Sequence, residues 1–121
     1  MKQKFIIIIA LCSMFALGYS LRQPPASILF VQFINESTQD VLRIDIQHGN
    51  SDTEEKITLH RLAKNAHRTI SLNHEPGLGY ALSILFVNGE KIEVCGGRGI
   101  KAQLISEVIR DNELETLGGR Y

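Results

Sequence analysis

Apolar and polar residues alternate along most of this chain with the period of two that a half-buried strand requires. Val41 to His48 (VLRIDIQH) shows it most cleanly, with Leu42, Ile44 and Ile46 on one face and Arg43, Asp45 and Gln47 on the other. Ile28 to Ile34 (ILFVQFI) is apolar on both faces, which predicts an interior strand. Lys56–Leu62 and Ala66–Leu72 read as a hairpin about a turn at Lys64-Asn65. That register sets Leu59 opposite Ile70 and Ile57 opposite Leu72, gathering four apolar side chains on one face.

Tyr80 to Cys95 (YALSILFVNGEKIEVC) carries the strongest local signal. Two strands meet at Asn88-Gly89, a pair suited to the positive φ angles of a type I′ turn. The implied register pairs Leu85 with Ile92 and Leu82 with Cys95. Leu82, Ile84 and Phe86 then share a face with Cys95, while Leu85 and Val87 share the other with Ile92 and Val94. Its first strand is apolar on both sides, so it belongs in the middle of a sheet with cover on each face.

The last segment is ambiguous. Ile100, Leu104, Ile105, Val108 and Ile109 recur at helical spacing, whereas the β-branched residues among them favour a strand. We read a strand that turns at Asp111-Asn112 into a short final one, Leu114 to Leu117, with a covering helix as the alternative. Polar stretches at 35–40, 49–55 and 73–79 separate the earlier elements. The sum is a mainly β chain of about seven strands. It predicts a small antiparallel β-sandwich of immunoglobulin-like type over residues 27–117, with a tail at 118–121.

The N-terminus belongs to a different class. Lys2 and Lys4 precede a continuous apolar run, Phe5 to Leu11, and small residues follow at Ala16, Gly18 and Ser20. This is the pattern of a secretory signal peptide, here residues 1–20 with cleavage after Ser20. The run is shorter than the ~20 residues that span a bilayer, which disfavours a membrane anchor. Pro24 and Pro25 make residues 21–26 an extended lead-in. The expected location is periplasmic or secreted.

Charge and cysteine narrow the function classes. Lys and Arg equal Asp and Glu in number over the whole chain, and loss of Lys2 and Lys4 leaves the remainder slightly acidic. Its basic residues are scattered and form no patch, which argues against a nucleic-acid partner. Once Cys12 leaves with the leader, Cys95 is the sole thiol. An internal disulfide is then impossible, and Cys95 is either a small apolar core residue or an intermolecular thiol.

Candidate chemistry is sparse. In the expected hairpin His60 and His67 are diagonal neighbours on the polar face, spaced to share a Zn²⁺ or Cu²⁺ with His48 or His74 as a third donor. Gly96, Gly97, Arg98 and Gly99 form a glycine-rich loop that can present backbone N–H groups and one guanidinium to a phosphate or carboxylate. It lacks the spacing of a P-loop or of a dinucleotide fingerprint. No serine sits in a nucleophile-elbow motif, and no cofactor is implied. Asn35-Glu36-Ser37 is a glycosylation sequon. The sequence therefore leads to an exported, non-catalytic protein-interaction module, such as an inhibitor, immunity-type or adaptor protein. Its partner would be another envelope or secreted protein. The alternative is a small-ligand or metal binder using the histidine pair or the glycine loop.

Overall fold

The computed structural model describes residues 27–50 and 53–118, with Ile7, Cys12–Met14 and Gly18 as isolated positions before them. The expected leader lies almost wholly outside these residues, and the lead-in at 21–26 and the tail beyond Gly118 entirely so. Eight strands follow in order: β1 (Ile28–Asn35), β2 (Val41–Asn50), β3 (Thr53–Leu62), β4 (His67–Asn73), β5 (Tyr80–Phe86), β6 (Lys91–Gly96), β7 (Leu104–Ile109) and β8 (Leu114–Gly118). They form two four-stranded sheets, β4-β1-β7-β8 and β3-β2-β5-β6. Every pairing is antiparallel except β1 with β7. The chain is a small, mainly β sandwich of two four-stranded sheets.

The core lies between the sheets and follows the alternation. Leu29, Val31 and Phe33 of β1 face Ile44 and Ile46 of β2, Leu82, Ile84 and Phe86 of β5, and Ile105 and Ile109 of β7, all buried. Burying each of these side chains contributes about 1.5–3 kcal/mol relative to exposure. Both cysteines, Cys12 and Cys95, are free, and this packing carries the domain. The C-terminal segment is strand twice over, β7 and β8, and the helical alternative is not formed.

Several sequence expectations are corrected. β3 and β4 are not a hairpin. β3 pairs with β2, setting Leu59 beside Ile44 and Ile57 beside Ile46, while β4 pairs with β1 in the other sheet. Ile57, Leu59, Ile70 and Leu72 do reach one core, but from opposite sheets. The turn at Lys64-Asn65 exists, with Asn65 at φ 62° and Ala66 N–H donating to Ala63 O at 3.0 Å. It carries the chain between sheets because the end of β3 is held elsewhere. Arg61 leaves the extended region at φ 55°, and buried Asn35 donates from Nδ2 to Leu62 O at 3.0 Å. That carbonyl serves the corner instead of a β4 partner.

The β5–β6 hairpin is shifted by one residue. Tyr80 pairs with Gly96, Ala81 with Cys95, Leu82 with Val94 and Ile84 with Ile92. Gly89 N–H donates to Phe86 O at 3.0 Å, and Phe86 N–H to Glu90 O at 2.9 Å. Gly89 has φ 90°, while Asn88 is not among the positive-φ residues. This is a type I turn followed by a glycine bulge, which needs one positive φ where type I′ needs two. The extra residue turns Val94 inward and Cys95 outward. β5 is central in its sheet as expected, but its second face is uncovered. Ala81 is exposed, and Ser83 and Leu85 are half-buried.

β2 holds a second bulge, between Val41 and Arg43. Val41 takes the core position expected of Leu42, which is exposed. Downstream of it the alternation runs Ile44, Ile46, His48, so a histidine enters the interior at the strand's far end.

Candidate functional site

Two arrangements of polar side chains stand out, one inside the sandwich and one on the outer face of β3-β2-β5-β6. The inner one begins at Glu107. Alternation along β7 sends Ile105, Glu107 and Ile109 inward, so the carboxyl is fully buried. The Tyr80 hydroxyl, from the opposite sheet, donates to Glu107 Oε1, and Thr116 of β8 donates to Oε2 at 2.7 Å. Burial pushes the Glu107 carboxyl above its ordinary range, against the lowering effect of these two donors. Burial, with the neighbouring carboxylate, also pushes the Tyr80 phenol up. Together they form a hydrogen-bonded tie between the sheets.

The line continues through two histidines. The His74 ring meets Tyr80 edge-on at 6.0 Å between centroids, and His48 meets His74 at 5.7 Å with the planes at 90°. His74 Nε2 lies 2.8 Å from Leu78 O. His74 Nδ1 and both His48 nitrogens are buried without a hydrogen-bond partner. Glu55 Oε2 lies 3.8 Å from His48 Nε2, and its side chain is half exposed. Desolvation holds His48 below the ordinary histidine range, outweighing the pull of Glu55, and His74 adds to the lowering.

This line explains two of the glycines. A Cβ on Gly96 would lie 2.7 Å from Tyr80 Cε2, and one on Gly97 2.5 Å from Tyr80 Cε1. No side chain fits beneath that ring. Two N–H groups at the end of the loop are engaged as well. Gly99 N–H donates to Gly77 O at 3.0 Å and Ile100 N–H to Gly97 O at 3.2 Å. Arg98 is exposed, its stem packed over Gly79. No helix follows to add its N-terminus, because Lys101–Gln103 is irregular and leads into β7. Gly96, Gly97, Arg98 and Gly99 are thus contiguous, but their geometry serves the Tyr80 cover and a tight turn.

The expected histidine pair is not brought together. His60 is exposed on β3 beside Arg43, and His67 is exposed on β4 beside Ile34 in the other sheet. Their shared face disappears with the β3–β4 hairpin. Among the described residues no three His, Cys, Asp or Glu side chains are arranged to hold a metal ion. The sequon asparagine is also out of reach of modifying enzymes in the folded state. Asn35 is buried, donates to Gln39 O and Leu62 O at 3.0 Å each, and accepts from Ser37 N–H at 3.1 Å.

The outer arrangement is a trough of about 690 Å³ along β5. Ala81 and Ser83 give it a floor of small side chains. Arg43, Asp45 and Gln47 of β2 form one wall, and Lys91, Glu93 and Cys95 of β6 the other. The walls are held by their own pairs. Arg43 Nε lies 3.0 Å from Asp45 Oδ2, Thr58 donates to Asp45 Oδ1 at 2.7 Å, and Lys91 pairs with Glu93. The Thr58 hydrogen bond is the main cause holding Asp45 below the usual carboxylate range, with Arg43 adding to it. Cys95 is a free, exposed thiol on this wall, not a core residue. Chemically the trough offers paired charges, hydroxyls and a small apolar floor, and no nucleophile–base pair.

No protein-family model matches the chain, and no curated protein matches it significantly in sequence. Among solved structures, the chain is similar to an NMR structure of a protein from Eubacterium rectale. The TM-score is 0.61 at 16% identity, over 82% of this chain and 95% of that one. At that identity the likeness bears on the fold alone. No helix among the described residues is long and apolar enough to cross a membrane.

Proposed function

We propose that this chain is an exported, non-catalytic interaction module, of inhibitor, immunity or adaptor type, which docks another envelope or secreted protein on the outer face of β3-β2-β5-β6. The observation that carries the reading is the trough along β5. A central strand pairs on both edges with β2 and β6, yet its outer side chains are Ala81, Ser83 and Leu85. A small-residue floor between walls fixed by ion pairs is a preorganised surface, because those walls lose little side-chain freedom on docking. The mixed signs of Arg43, Asp45, Lys91 and Glu93 suit a protein partner with paired charges of its own. The signal-peptide pattern at residues 1–20 supports the location.

The test is retention of a partner from envelope and secreted fractions on immobilised protein. Ser83→Arg fills the floor and is expected to weaken retention at least about tenfold, or ~1.4 kcal/mol. Thr69→Arg, on exposed β4 of the other sheet, is expected to leave it intact. No retained partner, or retention equal in both variants, would contradict the reading.

A further inference from the structure

The inner polar line stays buried to its last member, His48, and at that end of the sandwich the interior is incompletely bonded. His48 and His74 come from β2 and from the segment between β4 and β5, and three of their four ring nitrogens are buried without a partner. Buried polar atoms are paired in the great majority of cases, so three orphans in one ring contact mark a place that is stable only while uncharged. Beside it lies a shallow depression lined by Gln47, His48, Gly49, Thr53, Glu54 and Gly79.

We propose that the His48–His74 contact is an acid-operated latch. With His48 neutral it closes the end of the sandwich where β2, β3 and residues 74–79 meet, and a proton on His48 opens that end.

The charges around the latch set its direction. On β3, Glu55 faces His48 at 3.8 Å and Glu54 lines the depression. Glu55 is half exposed, so its attraction for an imidazolium is screened and does not compensate for burial. From the 74–79 segment His74 faces His48, and from β5 Tyr80 faces His74, its hydroxyl committed to Glu107 of β7. Arg98, packed over Gly79, adds a cation on that side. An imidazolium at His48 therefore gains most by turning out towards Glu54, Glu55 and water. The 74–79 segment is tied to the glycine loop through Gly77 O, which accepts from Gly99 N–H at 3.0 Å. Two of its hydrogen bonds are internal, His74 Nε2 with Leu78 O and Leu78 N–H to Glu75 O at 3.3 Å. Local opening of such a segment needs far less free energy than global unfolding.

The linkage has a definite sign. Desolvation holds the folded-state value of His48 below its ordinary one near 6.5, so its neutral form favours closure. That contribution is complete above the ordinary value and is lost as the pH falls below it towards the folded value.

The test joins histidine-ring NMR to amide hydrogen exchange between pH 7.5 and 5. Exchange is corrected for its intrinsic pH dependence. In the wild-type protein, protection at 48–50, 53–55 and 74–80 is expected to fall by up to about tenfold per unit of pH through the transition, the limiting response of one linked proton. Its midpoint should coincide with that of the His48 ring, while β1 stays protected. His48→Gln should remove the response, and His60→Gln with His67→Gln should leave it unchanged. Should His48→Gln fail to fold, coincidence of the two wild-type midpoints decides. Uniform protection at both pH values overturns the proposal. So does a midpoint that tracks another group, a response that survives in folded His48→Gln, or one lost in the His60/His67 variant.

Discussion

The Tyr80 hydroxyl and the Glu107 carboxyl meet across the sandwich, and each depends on the other. Tyr80→Phe leaves one Glu107 oxygen without its donor in a buried site, and is expected to destabilise by about 1–3 kcal/mol in urea unfolding. Glu107→Gln tests the same tie through pH. Its folded value is raised, so in the wild type the unfolded chain ionises first as pH climbs past about 4.5. Stability attributable to Glu107 is therefore highest at acid pH and declines as pH rises towards the folded value. Relative to wild type, Glu107→Gln should gain stability between pH 4 and pH 7, read from denaturation midpoints. Asn35→Ala removes both donors that hold the β1–β2 turn and the end of β3, and should destabilise by about 2–4 kcal/mol. Part of this was legible in the alternation alone. Extending Ile44, Ile46 by one step puts His48 inside, and extending Leu82 back by one step does the same for Tyr80. Glu107 stayed hidden because helix and strand readings competed over its segment, and only the strand period faces it inward. His74 gave no periodic signal, since it lies in an irregular segment.

Among the elements, the turns rather than the strands set what faces outward. Strand positions were readable because apolar residues recur with period two, and the core lists of β1, β2 and β5 follow from that. Pairing was not, because Ile57, Leu59, Ile70 and Leu72 can meet side by side in one sheet or face to face across two. The deciding features, positive φ at Arg61 and the side chain of Asn35, act across long sequence separations. Likewise Asn88-Gly89 announces a turn but does not choose between a two-residue turn and a type I turn with a bulge. That choice moved Cys95 from core to surface. Gly97→Ala should be among the more damaging glycine substitutions, combining φ 70° with the closeness of the Tyr80 ring. Gly89→Ala has open space and meets only the backbone term, about 1 kcal/mol. Thermal unfolding of the two variants should show the larger drop for Gly97→Ala, and equal drops would speak against the Tyr80 cover.

For the whole molecule, the proposed docking of another exported protein joins the open face of β3-β2-β5-β6 to the signal-peptide pattern at residues 1–20. Each element of that account has its own measurement. Mass analysis of protein secreted or released from the periplasm should give a chain beginning at Leu21. The outer face is the central claim, and Cys95 supplies a native handle on it. A photoactivatable crosslinker attached to that exposed thiol sits on the wall of the trough, beside its Ala81 and Ser83 floor. Illumination with the envelope or secreted fraction should yield one discrete adduct, and Ser83→Arg carrying the same label should lose it. An adduct of equal yield in Ser83→Arg, or none from the folded wild-type protein, would contradict the account.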